Sequence, residues 1–167
     1  LLLNNLATIY QAQEKYAKER AAFENSLEIC REIGDRDGEA IALNGLGEMS
    51  VHLGDYTQAA EYSEQALQIA QQIDELWTMT VCRNNLGEAL TGLGELAQAE
   101  AHLQQALQDA RDMDAQDLAS RIGASLGRVY QQRGDLSQAR QFFEDALANP
   151  ALEDEPRAKI TRWMSEM

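Results

Sequence analysis

Apolar residues along this chain recur at steps of three and four. Ala59, Tyr62, Ala66, Leu67 and Ala70 form one such series, and Ala99, Leu103, Ala106, Leu107 and Ala110 form another. That spacing puts them on one face of an α-helix and leaves the residues between them to solvent. The series also repeat. Leu6, Leu46, Leu86 and Leu126 stand 40 residues apart, as do Leu27, Leu67, Leu107 and Leu147. A fixed period of this size marks a repeat array rather than a single globular core. Gly54-Asp55, Gly94-Glu95 and Gly134-Asp135 interrupt each copy at its middle. Glycine past a helix end accepts the left-handed conformation, and the acid after it favours the next helix N-terminus. A second break falls at Gly34-Asp35, Asp74, Asp114 and Asp154, where aspartate can cap the following helix.

The pattern predicts helix pairs near 1–13 with 16–33, 36–53 with 56–73, 76–93 with 96–113, and 116–133 with 136–148. A last helix is expected to begin after Pro156. The copies divide the chain into 1–34, 35–73, 74–113, 114–153 and a partial fifth, 154–167. Copy one has Glu14-Lys15 where the others have their turn, so its break is less well specified. Gly47, Gly87 and Gly127 follow the repeated leucine inside a helix, where glycine costs about 1 kcal/mol relative to alanine. Close approach of the second helix supplies a reason, with Ala59, Ala99 and Ala139 as the facing small surface.

These residues resemble the tetratricopeptide repeat. Leu46-Gly47, Gly54, Tyr56, Ala59 and Ala66-Leu67 follow its pattern, as do Leu86-Gly87, Gly94, Ala99 and Ala106-Leu107. Leu126-Gly127, Tyr130, Gly134, Ala139, Phe143 and Ala146-Leu147 follow it most fully. Departures are visible: the usual early tryptophan is Leu3, Leu43, Arg83 and Gly123, and the period exceeds the roughly 34 residues typical of the family. Long repeats with the phrase Glu32 to Arg36 look like Pins-type spindle-orientation adaptors and the sensor arrays of bacterial STAND-class regulators. The resemblance implies an all-α, right-handed α-solenoid of helix-turn-helix repeats. It also implies a non-catalytic array that binds a protein or extended peptide in a concave groove lined by the first helix of each copy.

The groove positions it implies are Asn4, Asn5 and Thr8, then Asn44 and Glu48, then Asn84, Asn85 and Glu88, and finally Arg121 and Arg128. Asparagine offers both a donor and an acceptor, so it can pair with a peptide backbone without reading side chains. The alternative is that these asparagines are solvent-facing helix residues or bridge neighbouring helices. The groove is expected to be polar, acidic in the middle and basic at one end. Trp77 sits where the other copies have Asp37, Asp117 and Arg157, so it is either a partner hot spot or a plug between repeats.

Composition narrows the partners. A formal charge of −14 over 167 residues argues against nucleic acid and anionic membrane surfaces. No apolar run reaches the roughly 18 residues of a membrane span, and a cytoplasmic location is expected. Cys30 and Cys82 occupy unrelated places in the repeat and read as buried, reduced thiols. His52 and His102 are isolated, and no metal, cofactor or catalytic motif occurs. The chain opens and closes inside helical patterns, which is expected of a piece of a longer protein. Leu1, Leu2 and Leu3 at one end, with Trp163, Met164 and Met167 at the other, are expected to be sticky and to favour end-to-end association.

Overall fold

The computed structural model describes residues 2–167, with side chains from Lys15 onward. Eight helices follow one another: α1 (Leu2–Ile33), α2 (Arg36–Leu53), α3 (Tyr56–Gln72), α4 (Leu76–Leu93), α5 (Leu96–Asp112), α6 (Gln116–Arg133), α7 (Leu136–Leu147) and α8 (Asp154–Ser165). Among the described residues there is no strand. Each helix packs on its chain neighbours. In addition α2 touches α4, α4 touches α6, and α6 touches α8, whereas α3 and α5, or α5 and α7, do not meet. The even-numbered helices therefore form the crowded inner layer of a curved α-solenoid, and the odd-numbered ones splay apart on its back.

The repeat positions are buried alike. Leu46, Leu86 and Leu126 are 2%, 2% and 1% exposed, and Ala66, Ala106 and Ala146 are 0%, 0% and 2% exposed. Burying one such leucine is worth about 1.5–3 kcal/mol, and the array gathers this contribution once per copy. The helical glycines do face the second helix, but their partners differ by copy. A Cβ on Gly87 would stand 2.5 Å from Leu103 Cγ, one on Gly127 2.6 Å from the Phe143 ring, and one on Gly47 2.7 Å from Ser63 Oγ.

The turns show why the breaks fall where they do. Gly54, Gly94 and Gly134 take φ of 78°, 80° and 84°. Asp55 and Asp135 then accept hydrogen bonds from the backbone N–H of Gln58 and Gln138, both at 3.1 Å. Two expectations need correction. Asp74 and Asp114 do not cap the following helix: they take φ of 57° and 56°, the place that Gly34 fills at 74° in copy one. Aspartate tolerates the left-handed region better than most residues. The residues at the helix starts are Glu75 and Ala115, neither of which makes a side-chain cap bond, whereas Asp35 accepts from Gly38 N–H at 3.0 Å. Likewise α8 starts at Asp154, ahead of Pro156, which sits in the first turn where its missing N–H costs nothing.

Copy one departs most. The expected pair 1–13 and 16–33 is one continuous helix, α1, of 32 residues. Glu14-Lys15 offers neither a left-handed glycine nor an aspartate cap, so nothing stops the helix there. At the other end α7 has 12 residues against 17 in α3 and α5. It stops just before Asn149-Pro150, and Arg157 donates to the carbonyls of Leu147 and Asn149 at 3.0 and 2.8 Å. Beyond it, α8 closes the array through a cluster of Ala124, Phe143, Leu152, Ile160 and Trp163. Trp163 belongs to this cluster, and Met164 and Met167 pack against it partly buried. Leu1, Leu2 and Leu3 lie outside the residues whose side chains are described.

Candidate functional site

The inner layer encloses a cavity of about 310 Å³. Its walls come from α1 (Lys15, Tyr16, Glu19), α2 (Glu48, His52), α4 (Asn85, Glu88), α6 (Arg121, Ser125) and α8 (Lys159, Trp163). A second cavity of about 270 Å³ adjoins it, sharing His52, Glu88, Ser125, Lys159 and Trp163 and adding Arg128 and Arg162. One polar groove thus collects residues spread over most of the sequence.

Of the positions implied by the family resemblance, Glu48, Asn85, Glu88 and Arg121 line the first cavity, and Arg128 lines the second. Asn44 and Asn84 line neither. Asn85 Nδ2 donates to Asn44 Oδ1 at 3.0 Å, and Asn84 Nδ2 reaches Asn85 Oδ1 at 3.4 Å. The three amides join α2 to α4, with Asn84 and Asn85 only 3% and 7% exposed. Asn84 Oδ1 is buried without a hydrogen-bond partner. The side chains of Asn4, Asn5 and Thr8 lie outside the described residues.

Glu88 is the centre of the electrostatics. Its carboxylate accepts from Lys159 Nζ at 3.0 Å and from Ser125 Oγ at 2.9 Å. Burial opposes its ionisation, but Lys159 and Ser125 outweigh it and hold the carboxyl below its ordinary value. Lys159 and Arg128 both stand over the Trp163 ring, at 4.8 and 5.6 Å from its centre, as cation–π neighbours. At the opposite wall His52 stacks on Tyr16 with ring centres 5.8 Å apart and approaches Glu48 to 3.9 Å. The Glu48 carboxylate raises His52 above its usual pKa against the effect of burial, and His52 in turn lowers Glu48. Among the described residues the Arg121 guanidinium makes no hydrogen bond or ion pair, and its field lowers both Glu48 and Glu88.

Pattern reading missed Lys159, His52 and Tyr16 as groove residues. Lys159 and Tyr16 sit in the two atypical copies, and His52 is matched by Gly92 and Gln132, so no repeated residue marked any of them. Arg83, which broke the repeat, is accounted for internally: it donates to Asp109 at 2.7 Å between α4 and α5. Trp77 is 53% exposed on the first turn of α4, so it does not plug a gap between repeats. Cys30 and Cys82 are buried free thiols, and burial pushes Cys82 up to about 12. Among the described residues no group of histidines, cysteines and acids is placed to hold a metal.

A tetratricopeptide repeat family model matches residues 1–72 and 77–150. The chain belongs to the tetratricopeptide repeat family. Such arrays are generally scaffolds for protein–protein interaction. No curated protein matches the chain in sequence. Several solved structures share its fold. BtubC (BKLC) from P. vanneervenii is 22% identical with a TM-score of 0.74, covering 94% of this chain and 65% of that one. A Rap protein complexed with competence and sporulation factor is 18% identical with a TM-score of 0.76, covering 95% and 43%. The N-terminal domain of stress-induced protein-1 (STI-1) from C. elegans is 20% identical with a TM-score of 0.53, covering 76% and 95%. The tetratricopeptide repeat chain thus spans less than two thirds of the first two. No helix among its described residues is long and apolar enough to cross a membrane.

Proposed function

We propose that this tetratricopeptide array is a non-catalytic module that captures a peptide or an extended protein segment in its concave groove. The observation that carries this is the pair of adjoining polar cavities on the inner layer, walled by α1, α2, α4, α6 and α8. At about 310 Å³ the larger lies at the small end of ligand sites, a size suited to side chains of a bound segment rather than to a bulky cofactor. Concave surfaces of repeat solenoids are their usual binding faces. The Rap protein with the same fold is complexed with competence and sporulation factor, which supports a ligand-capturing role for the array.

In the cell the module serves as the cytoplasmic sensor or scaffold part of a larger bacterial signalling regulator. An upstream P-loop of the form GxxxxGK[ST] in the parent gene supports that reading, and a start codon just before Leu1 supports a free-standing adaptor instead. The groove is tested by selecting a displayed library of short random peptides on the full chain and mapping amide hydrogen exchange with a selected peptide bound. Protection is expected on α2, α4, α6 and α8. Protection confined to α3, α5 and α7 refutes the groove.

A further inference from the structure

The two cavities carry opposite charge. The first is lined by five carboxylates, Glu19, Glu48, Glu88, Glu153 and Glu155. Against them stand Lys15, Arg121 and Lys159. Two pairs cancel internally, Lys15 with Glu19 at 3.6 Å and Lys159 with Glu88 at 3.0 Å. That leaves Glu48, Glu153 and Glu155 facing Arg121 and His52, whose ring lies 3.9 Å from Glu48, an acidic excess of one carboxylate even with His52 charged. The second cavity keeps the cancelled Glu88–Lys159 pair and adds Arg128 and Arg162 with no further carboxylate in its wall. Glu166 serves both arginines, at 3.1 and 3.8 Å, so one positive charge remains.

The opposition runs along the helices. On α6 the lining passes from Arg121 and Ser125 to Arg128 and Gln132, and on α8 from Glu155 and Lys159 to Arg162. The Glu88–Lys159–Trp163 group forms the boundary between the two halves. A ligand of one sign would meet repulsion in one half. A segment with both signs would be attracted in both halves and would be held in one orientation, because reversing it puts like charges together.

We infer that the groove takes an extended segment of mixed charge, with a basic side chain seated beside Glu48 and an acidic side chain beside Arg128 and Arg162. This rests on the groove reading above and adds to it the chemistry and polarity of the ligand. Glu48 and Arg162 are well suited to a test, since their side chains are 45% and 71% exposed.

The experiment uses peptides selected from the displayed library on the full chain, resynthesised and titrated by calorimetry at low salt. Enrichment of Lys or Arg at a fixed spacing from Asp or Glu is expected. Exchanging those two residues in the peptide should weaken binding about tenfold. The variant Glu48→Lys should weaken the original peptide to a similar degree, and a peptide whose basic residue is replaced by Glu should recover. Arg162→Glu should act in the same way on the acidic end. Peptides that protect the inner helices but show no charge pattern, or ignore both reversals, overturn this inference and leave groove binding standing. Peptides that protect only the back helices, or a selection that enriches nothing, overturn both.

Discussion

Gly87 offers the most direct test of how the copies pack. In an exposed helix interior, alanine in place of glycine stabilises by about 1 kcal/mol. Here the added methyl carbon would stand 2.5 Å from Leu103 Cγ and 2.7 Å from its Cδ2, and Leu103 is fully buried. Overpacking of this kind costs about 1–3 kcal/mol, so Gly87→Ala should come out neutral to about 2 kcal/mol less stable, and Gly87→Val worse. Gly123 is the internal control. It too lies in a helix facing the inner layer, yet its nearest neighbour to a new Cβ is Phe142 at 3.9 Å. Gly123→Ala should therefore gain most of the propensity term, about 0.5–1 kcal/mol. For a protein of this size, each kcal/mol moves the thermal midpoint by about 2–4 °C. Urea denaturation and thermal melting of both variants give the comparison. A third variant isolates the contact: in a Leu103→Ala background, Gly87→Ala should become favourable, a coupling of about 0.5–3 kcal/mol. Equal shifts for Gly87→Ala and Gly123→Ala, or strict additivity with Leu103→Ala, would refute the close-approach explanation.

Two further outcomes follow from the turns and the groove. His52 should titrate above its ordinary value because Glu48 faces it, and His102 below its own because burial disfavours its charged form. Following both ring signals by NMR against pH should give that order, and Glu48→Gln should bring His52 down. In stability terms the His52–Glu48 interaction is fully present below about 6.5 and is lost as pH rises through the raised folded value, whereas His102 costs stability as pH falls below about 6.5. At the turn before α6, Asp114 holds φ of 56°, a region glycine occupies without penalty. Asp114→Gly should raise the urea midpoint slightly, by about 0.5–1 kcal/mol of stability, and a lowered midpoint would show that the aspartate side chain contributes more than its backbone costs.

The glycines and aspartates also show where pattern reading works and where it fails. Gly54, Gly94 and Gly134 marked three helix ends correctly because the left-handed turn is a local requirement, met within a few residues of chain. Asp74 and Asp114 were misplaced by one position because aspartate serves at either side of such a turn, and only the backbone angles tell which. Glu14-Lys15 carries no stop signal, and the helix accordingly runs through it as α1. In the groove, Glu48, Asn85, Glu88, Arg121 and Arg128 were legible from their place in the repeat. Their partners were not: Lys159 meets Glu88 from 71 residues away and Ser125 from 37.

The sequence by itself determined the helices and their pairing in copies two to four, and the buried stripe of leucine, alanine and glycine, since all three depend on spacing within one copy or between adjacent copies. The tertiary structure decided which amides are spent joining α2 to α4, that Trp77 stands in solvent while Trp163 is buried, and how charge divides between the two cavities. Those outcomes depend on how successive copies curve around a common axis. That curvature brings α1, α4 and α8 to one groove, and it is the sum of small inter-repeat rotations that no single stretch of chain encodes.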